Sequence, residues 1–424
     1  LHGAKLSSVG PGNVSGFNAA VEPAGIDLAM KLHYLRGVYY FERKAFDGAT
    51  VQEVKDPMFE WLNRYPVQCG RFRREEASER PYIKCNDCGV RFIEAAAGET
   101  LDEWLELNDD DGLMLREKLL FSGQIIGPEL TFSPLVYIQL TKFRCGGVAV
   151  GLSWAHILGD LFSAIKFMND WARTASGLRI DQPIFKAQDS ANSKLTIEPK
   201  KKAFEDPLSI KRVDPVGDNW IYSPSCAMQA VSFEIASAQL SLLRAKLQVK
   251  STFEPISAVI WKCIARIRGR ETEPRVVTVF KKSDRDEVGD GSILKNTQRV
   301  IVAKSEFSVA DSNFRDLVYL LLENYVEERF EIEEAMERSD GLDDFVVYGA
   351  NLSFVNLEDA RLYGFVYNRQ IPVRVSYRLD GVGENGAILI LPVSGGGDGR
   401  SVVAILPENE AVKLKAELKK EGLV

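Results

Sequence analysis

With 424 residues, 45% of them hydrophobic, the chain is long enough to bury a large core and to form two domains of about 200 residues each. Its 53 basic and 60 acidic side chains leave a net charge of −7, which argues against a nucleic-acid partner and against broad attraction to an anionic membrane. No uncharged stretch reaches the roughly 20 apolar residues of a membrane-spanning helix, so we expect no transmembrane segment.

Six cysteines are spread thinly along the chain, which is typical of reduced thiols in a cytoplasmic protein. Cys85-Asn-Asp-Cys88 has the spacing of half a zinc or redox site. A structural zinc ion needs two further ligands at matching spacing, and the neighbouring sequence offers none. The sequence therefore predicts no metal and no bound cofactor.

Residues 1–176 predict a mixed α/β domain, because helix-like and strand-like patterns alternate there. The predicted elements are helices at 28–38, 51–65 and 162–175, a hairpin-like pair of strands within 82–94, and strands at 135–143 and 148–154.

The segment after the strand at 148–154 carries the first candidate site residues, His156 and Asp160. An imidazole titrates near neutrality and can take a proton from a hydroxyl or amine, so His156 is a candidate general base. A hydrogen-bonded core histidine is the alternative, and spacing alone does not decide between them. Gly159 favours a turn over a helix, so Asp160 is predicted to have a structural role in ordering the loop.

Residues 177–218 contain four prolines and the run Lys200-Lys201-Lys202, without a sustained hydrophobic period. This composition predicts a long crossover linker. The lysines are interpreted as solvated linker residues, with guidance of an anionic ligand as the alternative. The predicted organisation is an N-terminal domain (1–176), the linker (177–218) and a C-terminal domain (219–424).

The C-terminal part predicts a second α/β domain. Its elements are strands at 230–235, 387–393 and 401–406, and helices at 239–247, 255–268, 314–336 and 408–420. From Ile256, apolar residues recur at i, i+3, i+4, i+7, i+8 and i+11, the pattern of one buried helical stripe. Gly395-Gly396-Gly397 precedes a strand, whereas phosphate-binding loops lead into a helix, so a flexible hairpin loop is predicted there.

The segment 156–160, His-Ile-Leu-Gly-Asp, resembles the HxxxD signature of the plant BAHD acyl-CoA-dependent acyltransferases. Ile26-Asp27-Leu28, Gly70-Arg71-Phe72 and the segment 251–263 around Trp261 resemble further motifs of that family, so the likeness runs nearly end to end. The resemblance implies two similar mixed-sheet α/β domains joined by a crossover linker. It also implies a central cleft with His156 at the domain interface, and acyl-CoA as a substrate.

Three companion motifs depart from the family. The family's Asp-Phe-Gly-Trp-Gly segment corresponds to 359–365, which lacks the central Trp, and Lys295 replaces a glycine close to the family's acyl-CoA channel. Lys282 stands where the family has the arginine that pairs with Asp160, although a lysine cannot make a bidentate pair. Because burying an unpaired ammonium is costly, Lys295 is predicted to point outward at the channel mouth.

Longer strings resemble one branch of the family, the eceriferum/glossy proteins of cuticular wax synthesis. They are 27–34, 81–87, 130–136, 152–160 and 348–356. This resemblance implies assistance to a β-ketoacyl-CoA synthase, the condensing enzyme of the fatty-acid elongase at the endoplasmic reticulum, in extending very-long-chain acyl-CoAs. We therefore expect a cytoplasmic protein associated with that membrane through its partner.

The alternative is an acyl-CoA-dependent O- or N-acyltransferase, and the sequence leaves open whether the protein is an enzyme. Nε2 of His156 would then deprotonate an acceptor that attacks the thioester, and donors near the oxyanion would stabilise it. The resemblance places Trp154, Asn296 and Lys295 along the substrate channel. Asn296 could equally be a loop residue that satisfies its own backbone. A scaffold without a ligand cleft is a third class. A tunnel at His156 that is open from both faces and lined by polar groups would favour the enzyme, whereas a closed or wholly apolar one would favour the accessory role.

Overall fold

The computed structural model of the protein describes residues 1–106, 118–121, 123–180, 205–283 and 294–423. The N-terminal strands are β1 (His2–Val9), β2 (Ala20–Val21), β3 (Tyr34–Phe41), β4 (Arg71–Arg74), β5 (Pro81–Lys84), β6 (Val90–Ala96), β7 (Val136–Lys142) and β8 (Val148–Ala155). The helices of this half are α1 (Gly25–Ala29), α2 (Arg43–Phe46), α3 (Val51–Leu62), α4 (Leu101–Glu106) and α5 (Leu161–Ala175).

The C-terminal part continues with strands β9 (Lys211–Arg212), β10 (Met228–Ile235), β11 (Val276–Lys281), β12 (Arg299–Lys304), β13 (Tyr325–Glu327), β14 (Phe345–Val346), β15 (Leu352–Asn356), β16 (Arg374–Asp380), β17 (Ala387–Pro392) and β18 (Arg400–Pro407). Its helices are α6 (Ser237–Leu247), α7 (Phe253–Arg268), α8 (Phe314–Leu322), α9 (Arg329–Arg338) and α10 (Glu408–Lys420).

The first large sheet has the strand order β1-β6-β7-β8-β3-β16 in the described residues. Every residue of β8 is buried, which explains why its sequence is a continuous apolar run without alternation. β3 pairs antiparallel with β8 so that Tyr34 faces Ala155. This register brings the residue before β3, His33, beside the residue after β8, His156.

The second large sheet has the order β10-β18-β17-β15-β11-β12-β13 among the described strands. Its parallel core, β17-β15-β11, is covered by α7, whose apolar stripe from Ile256 is buried. The strands and helices together give a mixed α/β fold with two sheet-rich domains, which confirms the predicted fold class.

One strand of the C-terminal half belongs to the sheet of the N-terminal half. β16 comes from the C-terminal half but pairs antiparallel with β3 and completes the first sheet. The short β9, from the predicted linker, pairs with β14. The boundaries at 176 and 218 stay a prediction, and the lysine run at 200–202 lies outside the described residues. No described helix is long and apolar enough to cross a bilayer.

Most predicted elements are confirmed within a few residues, and three are wrong. The helix at 28–38 is instead a short α1 followed by β3. All eight residues of β3 are buried and Arg36 is its one charged residue, so the sequence shows no alternation of polar and apolar positions that would separate strand from helix. Aromatic and β-branched side chains at 38–41 then favour the strand.

The other two errors concern pairing. The segment 82–94 is not a hairpin, because β5 pairs with β2 and β4 whereas β6 pairs with β1 and β7. Two positive φ angles between them, at Asp87 and Gly89, redirect the chain. The segment 314–336 is not one helix, because β13 interrupts it and pairs with β12 at the sheet edge.

Candidate functional site

The turn after β8 positions His156 and Asp160. β8 ends at Ala155, residues His156–Leu158 form one tight 3-10 turn, and Gly159 follows with φ of +141°. Asp160 then caps α5, because its Oδ1 accepts a hydrogen bond of 3.0 Å from the backbone N–H of Ser163. The turn predicted from Gly159 is confirmed.

The other carboxylate oxygen of Asp160 binds the chain beside β12. Oδ2 accepts from the backbone N–H and the hydroxyl of Thr297, at 2.9 and 3.1 Å, and from the backbone N–H of Gln298 at 3.2 Å. The predicted pairing with Lys282 is wrong, because Lys282 is exposed and these neutral donors satisfy the buried carboxylate instead. Asp160 therefore ties the HxxxD turn to the C-terminal half.

His156 lies fully buried between the two halves. Its backbone N–H donates to the carbonyl of His33 at 3.1 Å, and its Nε2 lies 3.0 Å from the hydroxyl oxygen of Tyr348. Nδ1 has no hydrogen-bond partner among the described residues. Burial lowers the pKa of His156 to about 4, so the ring is neutral at pH 7.

The hydroxyl of Tyr348 joins this ring to Gln298. Nε2 of the Gln298 amide donates to the hydroxyl oxygen at 2.7 Å. Burial raises the pKa of Tyr348, so the phenol keeps its proton. Among the described residues, Nε2 of His156 is the acceptor within hydrogen-bond distance of the Tyr348 hydroxyl, so we assign the hydroxyl proton to that bond, which places the imidazole proton on Nδ1.

His33 is a second buried histidine beside the first. Its Nε2 accepts from the backbone N–H of Val347 at 3.0 Å, and its ring packs edge-on against Tyr348 with centroids 5.1 Å apart. Burial lowers the pKa of His33 to about 3. Sequence reasoning did not identify His33, Gln298 or Tyr348 as site residues, although the strings at 27–34 and 348–356 that resemble the eceriferum branch contain two of them.

Asn296 and Trp154 are buried beside His156 and bonded to protein groups. The Asn296 amide donates to Oδ1 of Asp27 and to the carbonyl of His156, both at 2.9 Å. Its backbone N–H also donates to Asp27, and burial raises the pKa of that carboxyl. Nε1 of Trp154 donates to the carbonyl of Gly159 at 3.0 Å and closes the turn. Their role along a substrate channel stays a prediction.

Lys295 contributes its backbone to this region. Its carbonyl accepts from the hydroxyl of Ser163 at 2.9 Å, and its side chain is exposed. An open cleft of about 590 Å³ lies elsewhere, lined by residues of both halves that include Leu105, Glu234, Tyr363 and Arg374. No residue that lines this cleft is hydrogen-bonded to His156. In the described residues, no cluster of three His, Cys, Asp or Glu could hold a metal ion, and all six cysteines are free.

Comparison with known proteins identifies the family. The model of the Transferase family matches residues 24–283. The chain belongs to this family. Protein ECERIFERUM 26-like of Arabidopsis thaliana is 38% identical over all of this chain and 96% of its own length, and Protein ECERIFERUM 2 of the same plant is 35% identical over 98% and 97%. The resemblance to the eceriferum branch of the BAHD family is therefore confirmed.

The solved structure of vinorine synthase has the same fold. It superposes with a TM-score of 0.73 at 18% identity, over 99% of this chain and 97% of that one. F. sporotrichioides TRI101, solved in complex with coenzyme A and T-2, superposes with a TM-score of 0.68 at 14% identity, over 96% and 99% of the two chains.

Proposed function

We propose that this protein assists a β-ketoacyl-CoA synthase of the fatty-acid elongase in extending very-long-chain acyl-CoAs toward cuticular wax precursors. Its full-length identity of 35–38% to the ECERIFERUM proteins supports this role. The structural observation that carries the proposal is the environment of His156: the side chain is fully buried, and its Nε2 is hydrogen-bonded to Tyr348.

A general base must have the acceptor's hydroxyl or amine within hydrogen-bond reach, about 2.6–3.2 Å. At His156 that place belongs to the hydroxyl of Tyr348. The donors that could stabilise an oxyanion are also engaged, because the Asn296 amide and the Trp154 indole N–H donate to protein oxygens. Of these residues, His156 and Asn296 make hydrogen bonds between the two halves, and Trp154 closes the turn after β8.

In this proposal acyl-CoA is the ligand, handled together with the condensing enzyme. Coenzyme A in a solved structure of the same fold supports that ligand class. The protein would reach the endoplasmic reticulum through its partner.

The second candidate function is acyl-CoA-dependent acyl transfer to an alcohol or amine. The intact His156 and Asp160, on the fold of vinorine synthase, favour it. In that reaction Nε2 of His156 removes the acceptor's proton, the acceptor attacks the thioester carbonyl, and coenzyme A leaves as the thiol. Tyr348 would have to move away first.

Co-expression with a β-ketoacyl-CoA synthase in a host that elongates fatty acids separates the two functions. We expect longer acyl products when the protein is present, and we expect His156→Ala to retain this effect, because assistance requires no proton transfer by the imidazole. Gas chromatography of the acyl products gives the chain lengths. His156→Gln, a larger neutral replacement, controls for the hole that alanine leaves in the core.

Loss of elongation in His156 variants that still fold, judged by circular dichroism and expression level, would favour the acyltransferase. A parallel assay with purified protein, acyl-CoA and a panel of alcohols and amines should release free thiol no faster than buffer.

A further inference from the structure

We propose that Tyr348 is a built-in occupant of the acceptor position at His156, and that its hydroxyl keeps this histidine from starting acyl transfer. The inference rests on the proposed function only in taking the resting protein to be inactive in acyl transfer. It assigns the inactivity to one residue, rather than to the exposed Lys282 and Lys295 or to the altered segment 359–365.

The position of the hydroxyl carries the first step. An acceptor poised for deprotonation places its oxygen about 2.6–3.2 Å from the base nitrogen. The oxygen of Tyr348 lies 3.0 Å from Nε2 of His156. A substrate hydroxyl and the Tyr348 hydroxyl therefore compete for the same lone pair, and the tyrosine has the advantage of being part of the fold.

The second step is that Tyr348 is fixed there by the HxxxD aspartate itself. Gln298, which donates to the tyrosine oxygen at 2.7 Å, is buried, and its backbone N–H donates to Oδ2 of Asp160. Asp160 thus positions Gln298, and Gln298 positions the hydroxyl. A chain of hydrogen bonds through Gln298 and Tyr348 therefore connects Asp160 to His156.

The backbone and the ring of Tyr348 are held as well. The preceding N–H, of Val347, donates to His33, and the ring of Phe280 lies against the tyrosine with centroids 4.3 Å apart. The following residue, Gly349, has φ of +85°, and a Cβ there would lie 2.4 Å from the backbone nitrogen of Gly383. Only glycine fits this turn, so the chain cannot readily shift the tyrosine aside.

Tyr348 is an occupant and not a nucleophile. Its burial favours the neutral phenol over the phenolate that would attack a thioester. We therefore expect no acyl group on the peptide that contains Tyr348 after the wild-type protein is incubated with acyl-CoA and digested for mass spectrometry.

Removing the side chain should open the position to an external acceptor. In Tyr348→Ala, a water or small alcohol would give its proton to Nε2 of His156 while its oxygen bonds to the thioester carbonyl carbon. The carbon–sulfur bond then breaks, and the proton on Nε2 passes to the departing thiolate, so the products are coenzyme A and an acid or ester. No other reactant is required.

The test measures thiol release from palmitoyl-CoA by purified protein, with and without 1-butanol. We expect Tyr348→Ala to exceed the wild-type rate about tenfold or more, and the double variant Tyr348→Ala/His156→Ala to return to it. Tyr348→Phe leaves room for little more than a water, so a smaller rise, in hydrolysis alone, is expected. Tyr377→Phe is the matched control, since Tyr377 is equally buried but pairs its hydroxyl with that of Tyr39.

A folded Tyr348→Ala protein that releases thiol at the wild-type rate would overturn the proposal, as would a rise that survives loss of His156. An acyl group found on the Tyr348 peptide of the wild type would also overturn it, because the tyrosine would then act as a nucleophile. Should both Tyr348 variants fail to fold, nitrogen NMR of the wild type decides: we expect His156 protonated on Nδ1 and accepting at Nε2, and a proton on Nε2 overturns the proposal. With three histidines in the chain, assignment is direct. None of these outcomes depends on elongation, so the proposed function is tested separately.

Discussion

The carboxylate of Asp160 accepts four hydrogen bonds from the described residues, all from neutral donors. One caps α5 and three fix residues 297 and 298, so this single carboxylate connects the first helix after the motif to the second half of the chain. These bonds form without a substrate, so their contribution can be measured as folding stability.

We expect Asp160→Ala to lower the free energy of unfolding by about 3–5 kcal/mol, because it removes a helix cap and leaves buried N–H groups of residues 297 and 298 without acceptors. Urea unfolding measures the loss. Thr50→Ala is the control: Thr50 caps α3 in a solvent-exposed capping box, where the cost should be about 1 kcal/mol. Equal losses for the two variants would mean that the bonds to 297 and 298 contribute nothing.

The two buried histidines make stability depend on pH. Burial lowers the pKa of His33 to about 3 and that of His156 to about 4, below the 6.5 of an unfolded chain. Between these values the unfolded state binds more protons, so stability falls as the pH drops below 6.5 and is fully present above it. Each histidine should lower the free energy of unfolding by about 2 kcal/mol between pH 7 and pH 5.

Urea unfolding of the wild type and of His33→Gln at pH 7 and pH 5 tests this. The glutamine keeps an acceptor for Val347 but cannot be protonated, so the variant should lose less stability on acidification by about 2 kcal/mol. Taking the difference between the two proteins cancels the contribution of the carboxyl groups. An identical loss in both proteins would refute a buried neutral His33.

At the scale of elements, the turn between β8 and α5 requires glycine at 159. A Cβ there would lie 2.7 Å from the Cβ of Ser163, at a φ that L-residues rarely adopt. We expect Gly159→Ala to destabilise the protein by about 2–5 kcal/mol, from backbone strain plus overpacking. Gly48→Ala is the control, since Gly48 has φ of +73° with no atom within 4 Å of an added Cβ.

The control should show backbone strain alone, about 1–2 kcal/mol. Thermal or urea unfolding of both variants separates strain from crowding. If Gly159→Ala were no worse than Gly48→Ala, the turn would have to relax around the added methyl group.

Elements whose signal is local were predictable. α7 has a clear 3.6-residue stripe, α10 has an amphipathic period, and β17 and β18 are apolar runs around a glycine loop. The failures are elements decided by distant partners: β13 exists because it pairs with β12, and β3 is a strand because β8 and β16 flank it. Local propensity carries no information about a pairing partner that lies far along the sequence.

At the scale of the whole molecule, the same limit applies to the site. The motif at 156–160 could be recognised in the sequence, and the turn could be predicted from Gly159. The contact between His156 and Tyr348 could not be predicted, because the two residues lie 192 positions apart and meet only in the folded protein. Asp160 was assigned a cationic partner by resemblance, and tertiary structure supplied backbone N–H groups instead.

One buried ion pair also joins the halves. Nζ of Lys31 lies 2.8 Å from Oδ1 of Asp344, both side chains are 4% exposed, and the lysine also donates to the carbonyl of Leu342. Burial lowers the pKa of Lys31, so the partner carboxylate offsets part of the cost of keeping this charge out of water. Oδ2 of Asp344 accepts from the backbone N–H of Val216, within the predicted linker.

Removing one partner leaves the other charge buried and unpaired. We therefore expect Lys31→Met or Asp344→Asn alone to lower the free energy of unfolding in urea by about 3–5 kcal/mol. The double variant is neutral at both positions and keeps an acceptor for Val216. Its loss of unfolding free energy should therefore be smaller than the sum of the two single losses by about 2 kcal/mol or more. Lys55→Met/Glu94→Gln is the matched control, a more exposed pair within the N-terminal half that should show a coupling below about 1 kcal/mol. Additive losses at Lys31 and Asp344 would mean that the two halves are held by apolar packing and the hydrogen bonds around His156, with no contribution from this charge pair.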